Sequence, residues 1–230
     1  MSGILDLKLK EATYTVFDLE TTGMSMQNGD RIVEAAFVQY SFSGGVLKEF
    51  CTLINPQRSI PWDVSAIHGI CDTHVKNAPK FRNFVRNILD LIAGTILVGH
   101  NVYFDMRFLT GEMSQLGIEI NHPHICTMGY PGFNGGKTQL SLQKACDLNG
   151  ISLLNAHSAL DDTHATVKLL ERHIQESSLR GLNSFRDLKK TDKQYKFISS
   201  WDMPIPTYKD VLKGWSGCVG EPCGRGVVYL

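Results

Sequence analysis

The sequence predicts an α/β fold built on a mixed sheet, and three observations carry that prediction. Residues 13–19 (TYTVFDL) hold β-branched and aromatic side chains on both faces, which marks a central strand buried from two sides. Two more strand-like stretches, residues 31–42 and 46–53, follow with Gly44 and Gly45 between them as a hairpin turn. Beyond residue 80, a short apolar run sits among stretches of helical period, the order that lays helices against a sheet.

Taken in order, residues 54–61 (INPQRSIP) read as a loop because Pro56 and Pro61 interrupt any ladder or helix. A helix is expected over 81–92 and a short buried strand over 95–98 (TILV). Helices are then expected over 104–116, 140–148 and 159–174. From Ser177 onward helical periodicity fades, and the segment holds three of the eight prolines and two of the three tryptophans. Residues 1–176 are therefore read as one domain and 177–230 as an appendage that packs on it or reaches toward a partner. The ending GRGVVYL is apolar enough for a strand, so the chain also reads as a fragment of something longer.

An apolar fraction of 43% with 20% charged residues excludes a disordered chain. No apolar run nears the roughly 18 residues needed to span a bilayer, and the start MSGILDLKLKEA carries charge where a signal peptide would be apolar. Both point to a cytoplasmic protein with no membrane partner. Cys51, Cys71, Cys126, Cys146, Cys218 and Cys223 are dispersed without CxxC spacing, which fits a reducing compartment. With 23 basic and 23 acidic residues the formal charge is zero, so nucleic-acid binding has to be argued from a site. Two stretches are locally basic: Lys76, Lys80, Arg82 and Arg86, and residues 180–196 with six basic side chains against two acidic. Such stretches are more often solvated faces, yet either could track a single strand.

The strongest chemical signal is Asp18 and Glu20, followed by Thr21, Thr22 and Gly23. Residues i and i+2 of a strand share a face about 6.6–7 Å apart, so both carboxylates project the same way from a buried strand. A lone DxE would more often turn its Glu to solvent. Two further acids change that balance. At about 100° per residue, Asp105 falls within the arc of Phe108, Leu109, Met113 and Leu116, and Asp162 falls at the edge of the arc of Thr166, Leu169 and Leu170. An ionised carboxylate on a core-facing stripe needs a partner. Four such acids imply shared cations, and an all-oxygen set suits Mg²⁺ or Mn²⁺, with two divalent ions balancing four negative charges.

The remaining candidates sort as follows. Asp161 completes a capping-box spacing with Ser158 and is read as supporting a helix start. His157, five residues before Asp162, is placed on an entry loop and suits a general base. His164 is read as solvated and His173 as a packed core residue. His122, His124 and Cys126 have metal-like spacing but lack a fourth ligand and are read as a loop; Cys218 and Cys223 are a weak zinc or disulfide candidate.

Three segments resemble the motifs of one family: residues 17–23 (FDLETTG), 100–105 (HNVYFD) and 157–162 (HSALDD). They resemble, in order, the exonuclease motifs of DnaQ-like, DEDDh-type 3′→5′ exonucleases, a family that includes the proofreading epsilon subunit of bacterial DNA polymerase III. The resemblance covers roughly residues 12–176. It implies a ribonuclease H-like fold with a mixed five-stranded sheet flanked by helices. It also implies a two-metal site ligated by Asp18, Glu20, Asp105 and Asp162, with His157 as general base. By motif, Thr21, Thr22 and Gly23 lie beside the terminal nucleotide, Ile67 and His68 of the AIHGI segment pack its sugar and base, and His100 and Phe104 shape the pocket wall. The implied substrate is a single-stranded nucleic acid 3′ end, with DNA favoured over RNA. An exoribonuclease is the first alternative, and a catalytically silent nucleic-acid-binding or scaffold module the second. Association with a polymerase, or self-association, through residues 177–230 stays open.

Overall fold

The computed structural model describes residues 4–130, 140–153, 155–191, 198–199 and 205–211. Six strands form one sheet: β1 (Thr13–Thr21), β2 (Ile32–Ser41), β3 (Gly45–Leu53), β4 (Ile96–Gly99), β5 (His124–Cys126) and β6 (Ile198–Ser199). They lie in the order β3-β2-β1-β4-β5-β6. The β1–β2–β3 meander is antiparallel, whereas β4 and β5 continue from β1 in parallel and β6 returns antiparallel at the edge. The expected mixed five-stranded sheet is therefore present, with a two-residue strand from the appendage added to it. Residues 122–126, expected as a loop, carry β5; three residues are too few for strand alternation to show in sequence.

The helices are α1 (Trp62–His68), α2 (Asp72–Val75), α3 (Val85–Ile92), α4 (Val102–Ser114), α5 (Leu142–Asn149), α6 (Ala159–Leu179), α7 (Phe185–Thr191) and α8 (Tyr208–Val211). Strand alternation divides the core in two. Phe17, Leu19 and Phe37 face Ile88 and Leu89 of α3 and Phe108, Leu109 and Met113 of α4. Tyr14, Val16, Val38 and Tyr40 face Val167, Leu170 and Ile174 of α6. Both faces of the sheet are thus covered, which is why β1 and β2 read as near-continuous apolar runs. Asp18, Glu20 and Glu34 have the parity of Tyr14, Val16 and Val38, so they belong to the α6 side.

The change of pattern near residue 176 falls inside α6, which runs on to Leu179. Phe185 and Leu188 beyond it are fully buried in the α6-side core. Leu9 N–H donates to the Asn183 carbonyl at 2.8 Å, so this part of the appendage packs on the domain. Cys218, Cys223, Lys193, Lys196 and the GRGVVYL run lie outside the described residues. Among the described residues, no helix is long and apolar enough to cross a membrane.

Candidate active site

β1 outruns its parallel neighbour. β4 pairs with it only over Tyr14–Val16, so Asp18 and Glu20 project from the strand where that side of the ladder has ended. This is the carboxyl end of the parallel strands, where α/β sheets open a crevice. Across the antiparallel side Asp18 faces Ala36, Glu20 faces Glu34, and the register shifts immediately after Glu20. Such a bulge re-aims the following residues.

Two helices bring the other acids in. The chain leaves β4 through His100 and Asn101, whose left-handed φ of 68° turns it into α4. Asp105 then sits in the first turn of α4, buried, with Oδ1 accepting the Leu19 N–H at 3.1 Å. α6 presents Asp162, also buried, whose Oδ2 accepts the His157 N–H at 3.2 Å. His157 is exposed and has a φ of 69°, a left-handed conformation that folds the entry turn back over Asp162. Ligand atoms of Glu20, His157 and Asp162 lie within 4.8 Å of one another.

The electrostatics show that these groups share one space. Burial first, then the charges of Asp105, Glu20, Asp162 and Glu34, push the Asp18 carboxyl well above the usual carboxylate range. Burial, Asp162 and Glu34 push Glu20 up to about 8. Burial also raises Asp105 well above its ordinary value and raises Asp162. Asp162 Oδ1 is buried and has no hydrogen-bond partner among the described residues. Mutually repelling carboxylates with an unpaired buried oxygen and an adjacent imidazole fit divalent cations, which would remove both the repulsion and the desolvation cost. Asp18, Glu20, Asp105 and Asp162 are the residues that would hold them.

Side chains of the Thr-Thr-Gly turn are taken up within the protein. Thr21 Oγ1 donates to the Gly23 carbonyl at 2.6 Å, and Thr22 Oγ1 donates to Asp30 at 3.2 Å. A Cβ on Gly23 would stand 2.5 Å from Asp30 Oδ2, so only glycine lets this turn close on Asp30. Arg58 pairs with the same carboxylate at 3.0 Å. His68, at the end of α1, receives the Ile70 N–H on Nδ1, which leaves Nε2 to donate to the Thr21 carbonyl at 3.3 Å. Burial lowers its pKa, and the nearby His157 lowers it further. Ile67 beside it is 58% exposed. His100 is less available: Nε2 donates to the Leu140 carbonyl and Nδ1 pairs with the Thr127 hydroxyl, both at 2.9 Å. Phe104 packs against Phe108 with ring centroids 5.0 Å apart.

Three readings of the sequence change here. Ser158 makes no side-chain cap, and Asp161 accepts from Asn155 Nδ2 at 2.9 Å, so the Ser158–Asp161 pair is no capping box. His122 and His124 each use a ring nitrogen on a backbone carbonyl and flank or form β5, so they are sheet residues and not ligands. His164 faces Glu49 of β3 at 3.3 Å, while His173 is buried as expected, stacked on Tyr130. Sequence reasoning missed Glu34. The signal was present: it is a lone acid in IVEAAFV, a strand apolar on both faces, the same argument that singled out Asp105.

A family model described as Exonuclease (RNase_T) matches residues 15–170, a span that contains every one of these acids and His157. The chain belongs to this exonuclease family. The exonuclease domain is 36% identical over 171 residues to the DNA polymerase III subunit epsilon of Treponema pallidum, covering 72% of this chain and 78% of that protein. It is 34% identical over 188 residues to a DNA polymerase III subunit epsilon-like protein of Rhodobacter capsulatus, covering 80% of this chain but only 27% of that one. In fold it is similar to Exonuclease X in complex with 5′ overhanging duplex DNA, with a TM-score of 0.56, 24% identity and coverage of 78% of this chain and 99% of the other. The exonuclease domain therefore has the ribonuclease H-like fold, and its chemistry is that of a nuclease.

Proposed function

We propose that this domain is a 3′→5′ exonuclease that removes nucleoside 5′-monophosphates from DNA ends, using two divalent cations, Mg²⁺ or Mn²⁺. The observation that carries the reading is the convergence of Asp18, Glu20, Asp105 and Asp162 from three separate chain segments, with the His157 ring beside two of them. Bound there, the cations would supply charge neutralisation at the scissile phosphate and activate water for attack.

The protein's own groups do the rest. The backbone of Thr21–Gly23 and the exposed side chain of Ile67 border the place where the terminal nucleotide would lie. His68 braces the two together through the Thr21 carbonyl. His157 accepts a proton from the attacking water, and its exposed turn lets that proton leave to solvent. The water oxygen joins phosphorus, the bond to the 3′ oxygen of the penultimate nucleotide breaks, and that oxygen takes up a proton. Trp62, 83% exposed at the far end of α1 from His68, offers an indole face on which an upstream base can stack. The treponemal relative is named as a polymerase subunit, which supports DNA as substrate and a proofreading or repair setting.

The test uses 5′-labelled single strands of DNA and of the same sequence in RNA, with Mg²⁺, Mn²⁺ or chelator. The expected result is a ladder of labelled, progressively shorter DNA, faster than RNA, and abolished by chelator. Immediate release of the label as a mononucleotide would reverse the polarity, and faster RNA decay would make it an exoribonuclease.

A further inference from the structure

Glu34 stands directly opposite Glu20 across β1 and β2, on the face turned toward α6. Like charges facing each other in an antiparallel pair are unfavourable, and here burial adds to the repulsion. A fifth carboxylate in that position calls for a physical reason, and its two oxygens give one. Oε2 accepts the N–H of Ala159, the first residue of α6, at 3.1 Å. Oε1 faces Cys51 Sγ of β3 at 3.9 Å. Both oxygens have partners within the protein, and the ligand atoms that cluster are those of Glu20, His157 and Asp162, without Glu34. Ser158, which occupies the N-cap position of α6, makes no side-chain cap. Glu34, from a neighbouring strand, takes one of the N–H groups left open at this end, the positive end of a 21-residue helix that favours negative charge.

What this contact holds is specific. Ala159 lies between His157, two residues before it, and Asp162, three after it. Asp162 N–H donates to the Ser158 carbonyl at 2.9 Å, and His157 N–H donates to Asp162 at 3.2 Å. The first turn of α6 and its entry loop are thus linked by hydrogen bonds, and Glu34 ties them to the strand opposite Glu20. We infer that Glu34 is a positioning residue: through Ala159 it fixes His157 and Asp162 against Glu20, and its charge strengthens the hold of the site on cations.

This rests on the nuclease reading for its kinetic arm only. Glu34→Gln keeps an oxygen that accepts the Ala159 N–H but removes the charge; Glu34→Ala removes both. At saturating Mg²⁺, E34A is expected to have a kcat at least about tenfold below that of E34Q, with KM for a DNA strand little changed. Exchange of the Ala159 amide with deuterium is expected to quicken in E34A and to stay slow in E34Q. Calorimetric titration with Mn²⁺ is expected to show binding weakened about threefold or more in both variants. Equal kcat in E34A and E34Q, or an Ala159 amide equally protected in both, overturns the positioning role. Unchanged Mn²⁺ affinity in E34Q overturns the role of the charge. Should the native chain cleave nothing, the nuclease reading fails, and amide exchange and Mn²⁺ titration still decide the part played by Glu34.

Discussion

Asp18, Glu20, Asp105 and Asp162 are unstable company without counter-ions, and three backbone devices keep them there. The strand repeat aligns Asp18 with Glu20, the Leu19 N–H holds Asp105, and the His157 N–H holds Asp162. Function and stability should therefore oppose each other at these positions. Asp18→Asn replaces an acid that folding must either protonate or hold against its neighbours' charge, so in chelator its Tm is expected to rise, by about 2–4 °C for each kcal/mol relieved in a chain of this size. Its kcat is expected to fall by about 10³-fold or more, because in the proposed site a ligand for the cations would be lost. Calorimetry and a cleavage assay on one preparation check both, and a lowered Tm in chelator would contradict the repulsion. Asp105 and Asp162 were legible in the sequence because a charge on an apolar stripe is anomalous. The Ser158 and Asp161 spacing was misread because spacing alone does not say where a side chain turns: Asp161 accepts from Asn155, and Glu34, from another strand, accepts the N–H of Ala159.

At the scale of elements, α1 is the exception in a chain whose helices mostly bury a face. None of its side chains is buried, and Trp62 and Ile67 stand 83% and 58% exposed. Sequence reading passed over it because seven residues after Pro61 hold no helical apolar period long enough to register. Val64 packs it on the small cluster of Val33, Ile60, Ile70 and Val75, and at its end His68 bonds the Thr21 carbonyl, which ties it to the strand that carries Glu20. Stacking of a base on an aromatic side chain is worth about 1–3 kcal/mol, roughly a five- to 150-fold change in Kd. Trp62→Ala is expected to weaken single-stranded DNA binding within that range, while Trp62→Phe keeps most of it. Fluorescence anisotropy with a labelled strand and Ca²⁺ or chelator present measures this, and an unchanged Kd in the alanine variant would remove α1 from the strand's path.

For the whole molecule, two sets of buried groups give stability opposite dependences on pH. Glu20 titrates near 8 in the folded chain against a model-peptide value of 4.5, so between those values the folded state holds the extra proton. Stability is then lost as pH rises through that window. His122 and His173, pushed down to about 4 and about 3 by burial, act in the other direction below about 6.5, where the unfolded state binds the extra protons. In chelator, Tm is expected to fall as pH rises from about 6.5 to 8, and Mg²⁺ is expected to flatten that slope by replacing the protons. Thermal melts at half-unit pH steps, with and without Mg²⁺, give the answer; a slope that Mg²⁺ leaves untouched would place the titrating group elsewhere. Chain length has its own prediction. Ending the chain at residue 176 removes the last turn of α6 together with Phe185 and Leu188, two fully buried side chains. Full burial of such side chains is worth about 1.5–3 kcal/mol each. That truncation is expected to melt far below one ending at 191, and equal melting temperatures would show that this segment contributes nothing.

The amino-acid sequence alone determined the sheet's antiparallel meander and the major helices, and it singled out the four acids and His157 as candidates. Each of these leaves a mark within a few residues of itself: a period, a glycine pair, or a charge against an apolar background. The tertiary structure alone decided that Glu34 opposes Glu20 and caps α6, that residues 124–126 form a parallel strand, and that Phe185 and Leu188 complete the core. These depend on partners far away along the chain, 125 residues in the case of Glu34 and Ala159, and no local pattern encodes a partner at that distance.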